Sequence, residues 1–113
     1  MIVLSVKPGE EVMDSLTRQL AEHQIRSGAV ASLVGAIDSC GLSNMPVGNA
    51  KEDILTEYNQ PFELSGTGEI VDGKPHLHCV VSGEGNAAIG GHLHWARVET
   101  FFVHAYVLPL AAA

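Results

Sequence analysis

Positive charge is scarce in this sequence, and the shortage excludes several classes of partner. The 113 residues include 6 Lys and Arg against 13 Asp and Glu, which gives a net charge of −7. Proteins that bind nucleic acids or anionic membranes use clustered Lys and Arg to release counterions from phosphates. Here the basic residues are scattered singly, at Lys7, Arg18, Arg26, Lys51, Lys74 and Arg97. The charge distribution therefore argues against both nucleic acid and membrane as partners.

Cysteines and long apolar runs are also scarce. Cys40 and Cys79 are the only two cysteines, and they lie in no CxxC pattern. They predict neither a disulfide framework nor a cysteine metal site, and free thiols are typical of a reducing compartment. No apolar run reaches the roughly 18 residues of a membrane helix, and no secretory leader pattern follows Met1. We therefore expect a cytoplasmic protein.

The order of hydrophobic patterns predicts one α+β domain over residues 1–113. Ile2 to Val6 is a short β-branched run typical of a strand. Glu10 to Arg26 has apolar residues at helical spacing, with Gly28 as the expected stop. The rest consists of closely spaced strand patterns, 29–38, 40–45, 52–58, 62–71, 75–82, 87–95 and 97–108. Short turns between strands predict a mainly antiparallel sheet with one principal helix.

The last of these patterns, Arg97 to Leu108, is apolar on both faces. Alternation places Phe101 with Val103 on one face and Phe102 with Tyr106 on the other. One helix covers only part of a sheet, and only 17% of the residues are charged against 46% hydrophobic. An apolar face left uncovered needs a partner, and a second copy of the chain is the simplest one. We therefore expect an oligomer.

Histidine forms the most distinctive cluster, because four of the six histidines lie within 19 residues. They form two His-x-His pairs, His76 with His78 and His92 with His94. Residues i and i+2 of a strand point to the same face, so each pair projects two imidazoles to one side. A hairpin centred on Glu84 would set His76 opposite His92, with His78 on a diagonal. Imidazoles at such distances suit one divalent metal ion, with Gly90 and Gly91 leaving room beside it.

Alternatives stay open at this point. Ordinary sheet histidines also form hydrogen bonds to their neighbours, and His104 approaches the cluster only if its strand is adjacent. Three histidines with an open fourth position are typical of a catalytic metal site, for which Glu69, Glu84 and Glu99 are candidate general bases. A cupin also uses His-x-His, but its first motif has a Glu four or five residues after the second His, and Glu84 lies six beyond His78.

Several segments resemble the PPC domain, the plants-and-prokaryotes conserved domain. Gly9 to Val12 and Ile25 to Gly28 resemble its opening half, and Phe62 to Gly68 resembles its central strand. The sequences PHLH (75–78) and GGHL (90–93) resemble its two most distinctive motifs. The likeness runs through most of the chain in the same order and spacing.

The resemblance implies an antiparallel sheet with one main helix, assembled as a homotrimer. It also implies that His76, His78 and His92 are the metal-site positions, with zinc or another divalent transition metal as the ion. His94 lies outside the family pattern. The family often has an acidic residue in the last strand, where this chain has Val103 and His104.

The family label also suggests DNA binding, because plant members carry an Arg-Gly-Arg-Pro AT-hook and stand-alone prokaryotic members are named as DNA-binding proteins. This sequence has no AT-hook. Three functions therefore stand beside one another: a trimeric metal-binding module of unknown ligand, a DNA-binding regulatory protein, and a small metal-dependent enzyme.

Overall fold

An antiparallel sheet of eight strands forms the body of the protein in the computed structural model, which describes residues 1–111. The strands are β1 (Ile2–Val6), β2 (Gly28–Ile37), β3 (Ser39–Asn44), β4 (Ile54–Tyr58), β5 (Phe62–Val71), β6 (Lys74–Ser82), β7 (Ala88–Arg97) and β8 (Val103–Pro109). Their order across the sheet is β1-β8-β2-β5-β6-β7-β3-β4. Within residues 1–111 one α-helix, α1 (Val12–Glu22), accompanies the sheet, and a 3-10 turn (Glu84–Asn86) joins β6 to β7. The α+β expectation of a mainly antiparallel sheet with one helix is confirmed.

Helix α1 is shorter than the sequence pattern predicts. Glu11 lies before the helix and caps it, because its carboxylate accepts hydrogen bonds from the backbone N–H groups of Met13 and Asp14. The same carboxylate accepts the N–H of Ala96 in β7 at 2.9 Å, which fixes the helix to the sheet. The helix ends at Glu22, and Gln24 follows in the left-handed region with φ of 58°. Gly28 is therefore not the stop, since it already belongs to β2.

The core lies between α1 and one face of the sheet. The apolar stripe of α1 consists of Val12, Leu16 and Leu20, all buried, and it packs on β1, β6 and β7. From β6 the core receives Leu77, Cys79 and Val81. Among residues 1–111 no helix is long and apolar enough to cross a membrane.

The opposite side of the sheet, here called the outer face, has no such cover among the described residues. It carries His76, His78 and His92 together with the apolar side chains Val3, Val34, Val80 and Tyr106. Val34 and Val80 are 45% and 49% exposed. Strand alternation thus divides one sheet into a packed face and an open one.

The final strand is shorter than expected, which corrects the face assignment of Phe101. Residues 98–102 form a loop, held where the Asp38 carboxylate accepts the N–H groups of Glu99 and Thr100 at 2.7 and 3.1 Å. Because alternation stops in the loop, Phe101 does not share the face of Val103 and is 61% exposed. Tyr106 does lie on the outer face, as expected.

Candidate metal centre

The β6–β7 hairpin brings three imidazoles together on the outer face. His76 and His78 project from β6, and His92 projects from β7. The ring centroid of His92 lies 4.9 Å from that of His76 and 5.9 Å from that of His78. One ring nitrogen from each residue can be chosen so that all three lie within 4.8 Å of one another. The three histidines named by the family resemblance therefore form one cluster.

The hairpin register differs from the expected one by two residues. His78, not His76, lies directly opposite His92, and Val80 lies opposite Gly90. The 3-10 turn at Glu84–Asn86, with Gly85 at φ of 84°, displaces the centre of the hairpin from Glu84. A shift by an even number keeps every side chain on its face, whereas a shift by one would have separated the pairs.

The donor set fits a divalent transition metal. Zinc binds neutral imidazole at about 2.0–2.1 Å, so tetrahedral ligand atoms lie about 3.3 Å apart. The nitrogens lie within 4.8 Å of one another, and rotation of the rings would bring them towards that spacing. His76 and His78 are exposed and His92 is half-buried, so an ion held by them would remain accessible to water or a ligand.

The electrostatics of the cluster favour the neutral form of His92. Burial is the first cause that lowers the pKa of His92 below its ordinary value. The neighbouring imidazoles of His94, His76 and His78 lower the pKa further, because a second positive charge close to a first is unfavourable. The Asp53 carboxylate acts in the opposite direction. Neutral imidazole is the form that binds metals.

His94 lies beside the cluster but makes a different contact. It is the extra residue of a bulge in β7, since Gly41 and Leu42 of β3 pair with Trp95 and Leu93. Its Nε2 forms a 2.7 Å hydrogen bond with the Oγ of buried Ser43, although its ring lies 4.8 Å from that of His92. To bind the same ion through Nε2, His94 would have to give up this hydrogen bond. Ser43 has no sequence motif, so only the β3–β7 pairing reveals it.

The remaining histidines lie elsewhere. His23 caps the carboxyl end of α1 and is exposed. His104 belongs to β8, which is separated from β6 by β2 and β5. Its ring lies against Phe102, with centroids 4.3 Å apart. The possibility that His104 joins the cluster is therefore wrong.

Of the three candidate general bases, the fold brings one to the cluster. Glu69 lies directly opposite His76 in the β5–β6 ladder and lines a shallow depression with His76 and His78. Glu84 lies in the turn at the end of the hairpin. Glu99 lies in the 98–102 loop and pairs with Arg97 at 3.1 Å.

A cleft adjoins the histidines. It has a volume of about 830 Å³, and His78 and His92 are among its lining residues. The loop after β3 contributes Met45 and Asp53 to its wall. A ligand of the metal would therefore enter a cleft walled on one side by this loop, a segment with no sequence motif.

The two cysteines do not contribute ligands. Cys40 and Cys79 are free and buried on the core side. Burial raises the pKa of Cys40 to about 11 and that of Cys79 to about 12. Both thiols are protonated at neutral pH, and thiolate is the form that binds metals.

Comparison with known proteins identifies the family of the chain. The model of the Plants and Prokaryotes Conserved (PCC) domain matches residues 1–110. The chain belongs to this family. A search of curated proteins gives no match.

Three solved structures illustrate the similarity of this PCC protein to others. A metal-containing protein from Archaeoglobus fulgidus is 29% identical, with 98% of this chain and 79% of that one covered and a TM-score of 0.78. A plant- and prokaryote-conserved protein from Pyrococcus horikoshii is 20% identical, with coverages of 96% and 79% and a TM-score of 0.79. A protein from Ralstonia eutropha JMP134 with a provisional DNA-binding name is 22% identical, with coverages of 96% and 76% and a TM-score of 0.81. The last two likenesses concern the fold alone.

Proposed function

We propose that this PCC protein is a trimeric module that binds one divalent metal per chain, zinc in the first place, through His76, His78 and His92. The observation that carries the proposal is the convergence of three imidazole nitrogens within 4.8 Å on an open sheet face. A water molecule or an organic ligand takes the fourth position, as in metal sites with three protein ligands.

Two further observations support the metal. Burial and neighbouring rings hold the pKa of His92 below its ordinary value, which keeps its imidazole neutral. The Archaeoglobus fulgidus relative, 29% identical over nearly the whole chain, is named as a metal-containing protein. Imidazole also binds copper, nickel and iron, so the donor set defines the site more sharply than the metal.

Elemental analysis of the purified, untagged protein tests the proposal. Wild type is expected to carry about one metal ion per chain, and His92→Ala to lose most of it, because His92 joins the two strands of the site. His23→Ala serves as the matched control, since His23 is exposed at the end of α1. Equal metal content in wild type and His92→Ala would overturn the proposed site. His94→Ala is expected to retain the metal.

The exposed apolar side chains of the outer face support the proposed trimer. Val34 and Phe102 are 45% and 43% exposed, and exposed apolar side chains of this kind are typical of a subunit contact. Light scattering is expected to give about 36 kDa, three times the chain mass of 11.9 kDa. A monomer mass at micromolar concentration would refute the trimer. A Phe102→Glu variant that stays trimeric would refute only the contribution of Phe102.

DNA binding is the second candidate, favoured by the provisional names of relatives such as the Ralstonia protein. Charge argues against it, since the net charge is −7 and all three arginines pair with carboxylates. We expect no appreciable binding of the protein alone to duplex DNA at physiological salt. A sub-micromolar, salt-dependent change in the fluorescence anisotropy of labelled duplex would contradict this expectation.

A further inference from the structure

The cleft beside the histidines has an uneven distribution of charge. His78 and His92 are among its lining residues, and the loop after β3 contributes Asp53. The hydroxyl-bearing residues Ser65 and Thr67 line it from β5. No Lys or Arg is among its lining residues. A ligand in this cleft would therefore meet the ion of the proposed metal site, hydroxyl groups and a single carboxylate.

The Asp53 carboxylate is available to a ligand. Within residues 1–111 it takes part in no ion pair and no side-chain hydrogen bond, and the residue is exposed. Asp53 lines the same cleft as His78 and His92. Other acids of the chain, such as Glu10, Glu22 and Glu99, are already paired with arginine.

Part of the cleft lining is apolar or carries no side chain. It includes Val80 and the backbone of Gly90 and Gly91. A Cβ on Gly90 would lie 2.7 Å from the carbonyl oxygen of Cys79, and one on Gly91 would lie 2.6 Å from that of Ser43. These glycines are therefore required by the close approach of neighbouring strands, and they leave a smooth surface for the body of a ligand.

From this arrangement we propose that the cleft binds a small organic amine, whose metal-binding donor atom occupies the fourth position on the ion and whose ammonium group contacts Asp53. The proposal rests on the proposed metal site. With the same donor on the ion, an arm that lies beside Asp53 binds more weakly as a carboxylate than as an ammonium, because the carboxylate of Asp53 is then its nearest charge and no basic side chain lines the cleft. The cleft volume of about 830 Å³ lies in the range of small-molecule sites.

Three probes with the same donor test the proposal on protein loaded with cobalt(II), whose visible spectrum reports ligation of the ion. The probes are histamine, 4-ethylimidazole and imidazole-4-propionate, which carry an ammonium, a neutral and a carboxylate arm. We expect histamine to bind roughly three- to tenfold more tightly than imidazole-4-propionate, the size expected for a solvent-exposed charge contact. The neutral probe is expected to lie between them.

Substitutions test whether the preference for histamine depends on the Asp53 carboxylate. Asp53→Asn is expected to abolish the difference between histamine and imidazole-4-propionate, and Asp53→Glu to keep it. Glu57→Gln is the matched control, because Glu57 is an exposed acid of β4 outside the cleft lining. Thermal melts of each variant check that the fold is retained.

The possible outcomes distinguish failure of the amine proposal from failure of the proposed metal site. If cobalt binds and the three probes have equal affinity, or if Asp53→Asn keeps the preference, the amine proposal is wrong and the metal site stands. If neither cobalt nor zinc binds to the wild-type protein, the metal site and the amine proposal both fall.

Discussion

The two faces of the sheet differ in the exposure and in the chemistry of their side chains. Along β6, Leu77, Cys79 and Val81 are buried beneath α1 or neighbouring strands, with exposures of 0%, 3% and 0%. The alternate residues His76, His78 and Val80 are exposed on the outer face. The same nine-residue strand therefore supplies the core with one half of its side chains and the candidate metal site with the other.

Within one strand, the residues that stabilise the core are therefore distinct from those that form the candidate metal site. The buried side chains are held by apolar contacts on all sides, so their removal leaves cavities. The outer side chains do not pack under α1, and His76 and His78 are exposed. A strand with one open face can thus present candidate metal ligands without removing side chains from the core.

The sharpest test of the comparison uses two adjacent valines of β6. Val81→Ala is expected to lower the free energy of unfolding by about 2–3 kcal/mol, because two buried methyl groups and their packing are lost. Val80→Ala is expected to change it by less than about 0.5 kcal/mol, since Val80 is 49% exposed. Urea denaturation measures both. A large cost for Val80→Ala would show that the trimer contact extends over the outer face as far as the histidine cleft.

A smaller effect is expected where the helix joins the packed face. Glu11→Ala removes an acceptor of three backbone N–H groups, from Met13, Asp14 and Ala96. We expect a loss of about 1–2 kcal/mol, at the upper end for an N-cap. Glu22→Ala is the control, since its exposed ion pair with Arg18 contributes about 0.5 kcal/mol or less. Equal losses in the two variants would contradict the capping role.

Acid should weaken metal binding at the outer face. Protons compete with the metal for imidazole nitrogens, so metal affinity is expected to fall more than about tenfold between pH 7 and pH 5.5. Competition with a chelating dye at several pH values measures this. Affinity that does not change over this range would indicate ligands other than imidazole.

The smallest expected effect concerns the metal-free protein. The pKa of His92 is lowered in the folded state, so the unfolded chain binds more protons as the pH falls. The contribution of His92 to stability is therefore complete above the ordinary histidine pKa and is lost as the pH decreases below it. Metal-free wild type should lose more stability between pH 7 and pH 5 than His92→Ala. Parallel thermal melts compare them, and equal losses would refute the role of His92.

Local patterns predicted much of this arrangement and failed at particular points. The strand at Ile2–Val6 and the two His-x-His pairs were readable, because alternation is a property of a few neighbouring residues. The predicted hairpin register was wrong by two residues. The 3-10 turn at Glu84–Asn86 sets the register, and the identity of its residues does not fix this backbone conformation. The last strand was predicted too long, because apolar alternation continues through a loop that Asp38 holds from a distant part of the chain.

The sequence by itself determined which side chains share a face, and hence that His76, His78 and His92 could meet, because the period of a strand is two residues. Its motifs also determined the PCC family, whose model matches residues 1–110. Only the tertiary structure decided that His78 lies opposite His92, that Ser43 contacts His94, and that Asp53 stands in the wall of the adjoining cleft. Each of these depends on strand pairings or loop paths between residues far apart in the chain, whose energies come from packing and backbone hydrogen bonds and leave no local pattern in the sequence.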